Sequence, residues 1–261
     1  MCAVILAGVI GSGTLLNVGA AAIDRIEVDT AWNGVWDESI DVKYAYLTVN
    51  QTGFYDLSML DRNGTGMLDL YLYDMDITDE TLLNAWYNTR LNLAGLEFGQ
   101  YNYEHIYLIK DHTYELQLEY YTYDEELDRY NPIGADITAT FTKTDYEPTS
   151  LTLGVNADLA IGYYTNDWAQ VKTDASGDYL FKINQPADVY IVIYEKASGN
   201  NVAFSRLGYD TTIERFRLKP DTEYILYVYG YEKSEKLLRL NVSKTAADVS
   251  KMTWFKRIIT Y

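Results

Sequence analysis

Hydrophobic and polar residues alternate along several short stretches of this chain, as they do in β-strands that bury one face. In residues 114–120 the leucines lie on one side of the predicted strand, and the glutamates and glutamine lie on the other. The same pattern predicts further strands at residues 44–49, 54–60, 69–74, 137–141 and 224–231. Turn-forming residues separate these strands and no helical period is sustained, so the pattern predicts an all-β fold.

Two segments fit this description less well. Residues 79–87 would also suit one or two turns of helix and are interpreted as an insertion. Residues 246–261 carry apolar side chains at helical spacing, with basic residues between them. This tail is consistent with an amphipathic helix, a linker or the start of a further module, and the sequence does not choose among them.

The strand pattern occurs twice along the chain. Similar blocks recur in the same order: residues 52–55 match 176–179, 69–72 match 188–191, 110–114 match 219–224, and 140–144 match 241–245. Self-similarity of this kind indicates two copies of one domain. We therefore predict two tandem antiparallel jelly-roll-like β-sandwich domains, at residues 24–145 and 149–245, with a linker too short to let them tilt far.

The N-terminal segment is apolar. Residues 2–23 carry no charge and end in small residues, as a segment cleaved by signal peptidase does. No lysine or arginine precedes the apolar run, so residues 1–23 are predicted to be either a signal peptide or an uncleaved anchor. The single cysteine, Cys2, lies in this segment. We predict a secreted or cell-surface protein that does not rely on disulfides.

Charge and composition narrow the choice of partners. The chain of 261 residues has a formal net charge of −17, from 38 acidic and 21 basic residues. Phosphate backbones and anionic lipids would be repelled, so we expect no nucleic acid partner and membrane contact only through the N-terminal segment. The 26 tyrosines, beside 7 phenylalanines, favour pleated surfaces that are apolar on one side and wet on the other.

The matched blocks, together with the closing strand at residues 137–141, resemble the bacterial pre-peptidase C-terminal domain. The resemblance implies a jelly-roll-like β-sandwich that serves as an accessory module of secreted proteins, often in collagen or polysaccharide attachment. It covers most of both copies and consists of hydrophobic and turn positions without reactive groups. In the turn before the penultimate strand, His112 or Asp221 stands where the family has a glycine.

Catalytic groups do not stand out in the sequence. The two histidines, His105 and His112, are not accompanied by a Gly-x-Ser-x-Gly elbow, and they lack the spacing of a catalytic zinc helix. We interpret His112 as a surface turn residue. Carboxylates are so abundant that no glycosidase pair is distinct among them. We expect that the protein is not an enzyme and has no zinc cofactor.

Residues 61–69 place oxygen-bearing side chains in the order of a calcium-binding loop. Asp61, Asn63, Thr65 and Asp69 would be the metal ligands. Leu72 stands where an EF-hand needs a bidentate glutamate, and strands replace the flanking helices. A glycine-rich turn is the favoured interpretation, and a structural calcium is the alternative. Further carboxylates follow nearby: Asp74, Asp76 and Asp79.

A row of tyrosines gives a second functional hint. On the strand at residues 224–231, Tyr227, Tyr229 and Tyr231 share one face, whereas the equivalent face of the first copy is polar. Aromatic rings on a β-sandwich bind sugars by lying against the apolar side of a pyranose, with polar groups at the rim. These three residues are therefore predicted ligand-binding residues. The alternative is that this face packs against the neighbouring copy or the tail.

The sequence thus predicts an exported, non-catalytic attachment protein that binds polysaccharide or extracellular protein. The alternative function is a structural spacer that holds another part of a cell-surface protein away from the envelope and has no ligand of its own. Solvent exposure of the tyrosine row separates the two, because a buried row would remove the main binding residues from the first hypothesis.

Overall fold

The fold is described from a computed structural model. It describes residues 24–40, 42–62, 66–76, 89–97, 100–126, 129–161, 166–175, 177–184, 188–208, 212–230 and 236–245, with the backbone alone for residues 89–97 and 166. The predicted leader, the predicted helical turns at residues 79–87 and the tail lie outside these ranges. None of the described residues forms a helix long and apolar enough to cross a lipid bilayer.

Every regular element in the described ranges is a β-strand. The first sandwich contains these strands: β1 (Arg25–Ile26), β2 (Trp32–Trp36), β3 (Val42–Thr48), β4 (Gly53–Asp61), β5 (Met67–Asp74), β6 (Thr89–Glu97), β7 (Gln100–Leu108), β8 (Thr113–Asp124), β9 (Arg129–Pro132) and β10 (Ala135–Thr144). The second sandwich contains these: β11 (Thr149–Leu151), β12 (Asn156–Ile161), β13 (Asn166–Lys172), β14 (Gly177–Ile183), β15 (Val189–Glu195), β16 (Asn201–Leu207), β17 (Ile213–Leu218), β18 (Glu223–Gly230) and β19 (Lys236–Lys244).

Both sandwiches have the same sheet topology. Sheet A has the order β1-β3-β8-β5-β6, with β9 paired to β8, and it packs on sheet B, which has the order β2-β10-β4-β7. In the second sandwich, sheet C follows β11-β13-β18-β15-β16 and sheet D follows β12-β19-β14-β17. Thus β11 to β18 take the places of β1 to β8, and β19 takes the place of β10. The predicted all-β fold of tandem sandwiches is confirmed.

Most strand pairs are antiparallel, as predicted, but each sandwich also has one short parallel pair. These pairs are β1 with β3 and β11 with β13. Both parallel pairs lie at the same edge of equivalent sheets, so the two copies share this feature as well.

Alternation along the strands sets the two cores. In β5, for example, Leu68, Leu70 and Leu72 point into the sandwich and are almost fully buried, while the residues between them point outward. The first core gathers such residues from sheets A and B, and a separate core forms between sheets C and D. Each sandwich therefore buries its own hydrophobic interior.

A buried tyrosine marks the same place in each sandwich. The hydroxyl of Tyr55 donates to the carbonyl of Gln51 at 2.7 Å, and the hydroxyl of Tyr179 lies 2.7 Å from both the carbonyl of Ala175 and the carboxylate of Asp174. In both cases the carbonyl lies four residues before the tyrosine. The two hydrogen bonds anchor the loop before β4 and the loop before β14 in the same way.

A second pair of hydrogen bonds fixes the correspondence between the turns before β8 and β18. The backbone N–H of Ile109 donates to the Tyr114 hydroxyl, as that of Lys219 does to the Tyr224 hydroxyl. This register pairs His112 with Thr222, so the sequence alignment of His112 with Asp221 is off by one. The positive-φ turn residue is aspartate in both copies, at φ 65° for Asp111 and 44° for Asp221.

Candidate binding face

The two sandwiches meet through apolar side chains that we call the docking cluster. The first sandwich contributes Phe54, Tyr107 and Ile109, and the second contributes Trp168, Val192, Tyr194 and Ile225. The rings of Phe54 and Trp168 meet edge to face with centroids 5.2 Å apart. All members are at least nine-tenths buried, so the contact excludes water in the manner of a protein core.

The linker strengthens this contact. The ring of Tyr146 stacks on His105 with centroids 3.7 Å apart and meets Phe54 at 4.9 Å. Its hydroxyl donates to Asp167 of the second sandwich at 3.2 Å. Burial, followed by the charge of Asp167, raises the pKa of Tyr146 to about 12. The linker residue therefore bridges both sandwiches.

The predicted tyrosine row on β18 belongs largely to this contact. The hydroxyl oxygens of Tyr227 and Tyr103 lie 3.1 Å apart, and the Tyr227 ring is 4.6 Å from that of Trp168. Burial raises the pKa of Tyr227 well above its ordinary value, and Tyr103 adds to the effect. The expected open row is therefore absent at Tyr227, because this strand face packs against the first sandwich.

The other two members of the row are placed differently. Tyr229 is partly buried, and its ring stacks on Tyr190 at 5.0 Å with an interplanar angle of 10°. A ring covered by another ring offers little area to a sugar. Tyr231 lies outside the described residues.

In the first sandwich, none of the described residues on the equivalent face belongs to the docking cluster. Cross-strand pairing places Gln117 where the second sandwich has Tyr227, Tyr44 where it has Trp168, and Tyr71 where it has Val192. Tyr44 is 45% exposed. The same surface of the same fold thus carries a buried tryptophan and valine in one copy, and an exposed Tyr44 beside polar and aromatic side chains in the other.

Side chains on the outer face of sheet A form two cross-strand rows over β3, β8 and β5. The first row is Tyr44, Gln117 and Tyr71, and the second is Tyr46, Glu115 and Tyr73. Directly opposed side chains on one face of a sheet contact each other. Aromatic rings therefore flank a central strip of carboxylate and amide groups, and Tyr71 and Tyr73 stack at 6.0 Å.

Hydrogen bonds hold the central strip in place. The Tyr46 hydroxyl donates to Glu115 at 2.7 Å, and the Gln117 amide donates to Glu119 at 2.8 Å. The hydrogen bond to Glu115, together with burial, raises the pKa of Tyr46 to about 12. Burial and the charges of Asp69 and Glu119 raise the pKa of Tyr71 to about 12. Both phenols are therefore neutral donors at neutral pH.

Three further tyrosines extend the face at the far end of β8. Tyr130 of β9 meets Tyr121 edge to face at 4.9 Å and lies 5.1 Å from Tyr123. Tyr123 is 44% exposed and Tyr130 is 64% exposed. β9 has no counterpart among the described strands of the second sandwich.

An open groove adjoins the opposite end of the face. It has a volume of about 530 Å³ and is lined by residues of β1, β3 and the start of β8, among them Arg25, Tyr46 and Thr113. Tyr46 thus belongs both to the groove and to the second cross-strand row. Together the groove, the rows and the three tyrosines form an extended surface along sheet A.

The described members of the predicted calcium loop do not converge. Asp61 accepts a hydrogen bond from Tyr120, which points into the core, and Asp69 accepts one from Tyr121, which points outward from the same strand. The two carboxylates are therefore hydrogen-bonded to side chains on opposite faces of β8. Asn63 and Thr65 lie outside the described residues, so calcium binding by this loop stays a prediction.

Sequence reasoning missed a group formed by Asp74, Asp76 and His112. Potential ligand atoms from the three residues all lie within 4.8 Å of one another. His112 is not a simple surface turn residue, because its Nδ1 is 3.1 Å from both carboxylate oxygens of the fully buried Asp74. An aspartate at a core position of the alternating strand β5 was the available signal in the sequence.

Comparisons with known proteins identify similar structures. No family model and no curated protein matches this chain. Among solved structures, the pre-peptidase C-terminal domain of collagenase from Bacillus anthracis is similar to part of this chain. The match has 18% sequence identity and a TM-score of 0.33, and it covers 39% of this chain and 99% of that chain. That domain is of the type that the sequence resembles.

A second similar structure spans most of both chains. The tandem CBM51 modules of a family 98 glycoside hydrolase from Streptococcus pneumoniae have 9% identity and a TM-score of 0.26, with 84% of this chain and 85% of that chain covered.

Proposed function

We propose that the protein is a non-catalytic attachment module that binds a neutral polysaccharide through the outer face of sheet A. The carrying observation is the open arrangement of tyrosine rings on β3 and β5 on either side of Glu115 and Gln117. Ring faces pack against the C–H side of a pyranose, and carboxylate and amide groups accept and donate hydrogen bonds to its hydroxyls.

The charge of the face favours a neutral chain over an anionic one. Asp69, Glu115 and Glu119 lie together on sheet A, and the whole protein carries a net charge of −17. A polysaccharide rich in carboxylate, sulfate or phosphate would be repelled at this surface. Hydroxyl groups, in contrast, are good donors to the carboxylates that the face presents.

The length of the face suits a polymer more than a single sugar. The strands beneath it run from the groove beside Tyr46 to Tyr123 and Tyr130, and β8 alone spans 12 residues. At about 3.3 Å per residue, such a strand is long enough to contact several sugar units. Binding along an extended open surface is what attachment to a polysaccharide requires.

A non-catalytic role agrees with the position of the histidines. His105 is stacked on Tyr146 in the contact between the sandwiches, and His112 is engaged by Asp74. Neither is placed on the outer face of sheet A as a general base. Export through the N-terminal segment fits the proposal but concerns residues 1–23, which lie outside the described ranges.

The spacer hypothesis keeps one supporting observation, which is the docking cluster. It joins the two sandwiches through buried aromatic rings, as a stiff spacer would require. Stiffness is equally useful to an attachment module, so the two hypotheses differ only in whether the face has a ligand.

The proposal is tested by binding of the full chain to an array of polysaccharides and matrix proteins, followed by titration calorimetry with the retained glycan. We expect saturable binding of a neutral polysaccharide. Tyr44→Ala and Tyr123→Ala should each raise the dissociation constant about tenfold, since one ring contact is worth roughly 1.4 kcal/mol. Both rings are exposed, so neither change should disturb folding.

Tyr190→Ala is the matched control, because Tyr190 lies on the equivalent sheet of the second sandwich and should leave binding unchanged. An array without any retained glycan, from a folded sample, would contradict the proposal and favour the spacer. Retention of a matrix protein alone would contradict the choice of polysaccharide.

A further inference from the structure

Asp74 lies at a core-facing position of β5. It follows Leu68, Leu70 and Leu72 on the inward side of β5, and its side chain is fully buried. An ionised carboxylate in such a place needs a compensating positive charge or several hydrogen bonds. The question is what supplies that charge.

The second sandwich shows one answer at the equivalent position. Glu195 pairs with Tyr224 as Asp74 pairs with Tyr114, so the two acids correspond. There, the Lys219 ammonium lies 2.7 Å from the Glu195 carboxylate. The carboxylate at this end of the sandwich is thus neutralised by a lysine.

The first sandwich has no lysine at that place. The residue that corresponds to Lys219 is Ile109, which is 5% exposed in the docking cluster. A charged side chain would be costly there, because the second sandwich covers the position. Asp74 instead accepts a hydrogen bond from the backbone N–H of Asp76 at 3.1 Å and lies beside the imidazole of His112.

His112 and Asp76 are the side chains that approach instead. The Nδ1 atom of His112 lies 3.1 Å from each carboxylate oxygen of Asp74. Potential ligand atoms of Asp74, Asp76 and His112 all lie within 4.8 Å of one another. A divalent cation held by two carboxylates and a neutral imidazole brings the set to zero net charge.

We propose that Asp74, Asp76 and His112 bind one divalent transition-metal cation of the Zn²⁺ or Mn²⁺ type. Ligand distances of about 2.0–2.2 Å place neighbouring ligand atoms roughly 3.0–3.5 Å apart, and the spacing between His112 and Asp74 falls in that range. The imidazole nitrogen selects against calcium, which takes oxygen ligands. Entry is from solvent, since Asp76 is exposed.

The proposed ion would tie two separate parts of the first sandwich together. Asp74 and Asp76 lie at the end of β5, and His112 lies in the turn that leads into β8. The chain has one cysteine and therefore cannot form an internal disulfide. A metal that binds only the folded protein stabilises it by mass action.

The test is titration of the metal-free full chain with Zn²⁺, Mn²⁺ and Ca²⁺ by calorimetry, with thermal unfolding followed in parallel. We expect one saturable site for Zn²⁺ or Mn²⁺ with a raised melting temperature. His112→Gln and Asp76→Asn should weaken binding at least about tenfold, and neither removes the buried carboxylate, so both should fold.

His105→Gln is the matched control, because it removes the only other histidine and should leave the affinity unchanged. A folded wild-type protein without a saturable site would overturn the proposal. So would metal binding that His112→Gln does not weaken, or a site that prefers Ca²⁺ to both transition metals.

Discussion

The hydroxyl oxygens of Tyr103 and Tyr227 lie 3.1 Å apart, so one hydrogen bond joins β7 of the first sandwich to β18 of the second. This bond lies beside the docking cluster and explains why an outward-facing tyrosine of the second sandwich is covered. The corresponding position of the first sandwich, Gln117, remains on an open face. The same sheet surface therefore packs against the other sandwich in the second copy and carries a polar strip in the first.

The docking surface of the first sandwich has no apolar counterpart in the second. Where the first has Phe54, Tyr107 and Ile109, cross-strand pairing places Asp178, Arg217 and Lys219. These residues are polar, and Asp178 and Lys219 form ion pairs within their own sandwich. The second sandwich therefore lacks, at the equivalent positions, the apolar surface through which the first sandwich makes this contact.

Phe54→Ala should weaken the contact between the sandwiches. Its ring is 5% exposed and touches Tyr107, Tyr146 and Trp168. Loss of a buried phenylalanine costs about 3–5 kcal/mol. We expect a lower melting temperature and a separation of the unfolding of the two sandwiches into two calorimetric transitions. Val35→Ala, at a residue 66% exposed, is the control and should change little. A variant that unfolds as the wild type does would refute the role of the cluster.

Gly199→Ala should also disturb this contact. A Cβ atom there would lie 2.0 Å from a side-chain carbon of Ile109, and the residue has φ 69°. Gly154→Ala is a close control, with φ 80° and no atom within 4 Å of the added carbon. Both variants carry backbone strain of about 1 kcal/mol, but only Gly199→Ala adds the steric conflict. Equal losses of stability in urea unfolding would show that the sandwiches are not packed as described.

Tyr55→Phe and Tyr179→Phe each remove one hydroxyl that donates to a backbone carbonyl four residues earlier. We expect each change to lower the free energy of unfolding by about 1 kcal/mol. The sites lie in different cores, so the losses should add in the double variant. Strong non-additivity in chemical denaturation would contradict the placement of the two anchors in separate cores, and clearly unequal single losses would contradict their equivalence.

The outer face of sheet A should make the fold sensitive to alkali. The pKa values of Tyr46 and Tyr71 are raised to about 12 from the ordinary value of about 10. A raised pKa means that the folded state prefers the neutral phenol, so this stabilisation is complete below pH of about 10 and is lost as pH rises through about 12. Phenolate absorbance and circular dichroism during alkaline titration measure it. The stability of the double variant Tyr46→Phe, Tyr71→Phe should depend less on pH between about 10 and about 12. An alkaline unfolding midpoint equal to that of the wild type would contradict the argument.

The strands could be predicted from the sequence because local alternation decides them. Leu116 and Leu118 are buried and Glu115 and Gln117 lie outside, as the pattern in β8 indicates. The repeat also carried over to the fold, since the sheets of the two sandwiches have the same order. Alignment of the copies was less secure: the cross-strand register matches Leu68, not Leu70, with Val189.

The candidate binding face could not be read from one strand. The polar face of β8 drew no attention, because the aromatic rings that flank it belong to β3 and β5. Conversely, nothing local in β18 shows that Tyr227 is covered by Tyr103, which is far away in the sequence. Both errors have the same physical reason, since a sheet face is formed by neighbours in space and its cover is set by tertiary packing.

The grouping of His112 with Asp74 was also beyond the sequence. The two residues are 38 positions apart and meet because the end of β5 lies beside the turn before β8. No short spacing signals such a pair. The buried aspartate in an otherwise apolar inward series was the one local anomaly.

The most direct measurement is tyrosine-selective chemical labelling of the full chain, with and without the polysaccharide retained on the array, followed by mass spectrometry. The account predicts that bound polysaccharide protects Tyr44, Tyr71 and Tyr123 on sheet A and leaves the labelling of Tyr190 on sheet C unchanged. Protection confined to sheets C and D, or no change at any tyrosine of sheet A under saturating polysaccharide, would contradict it.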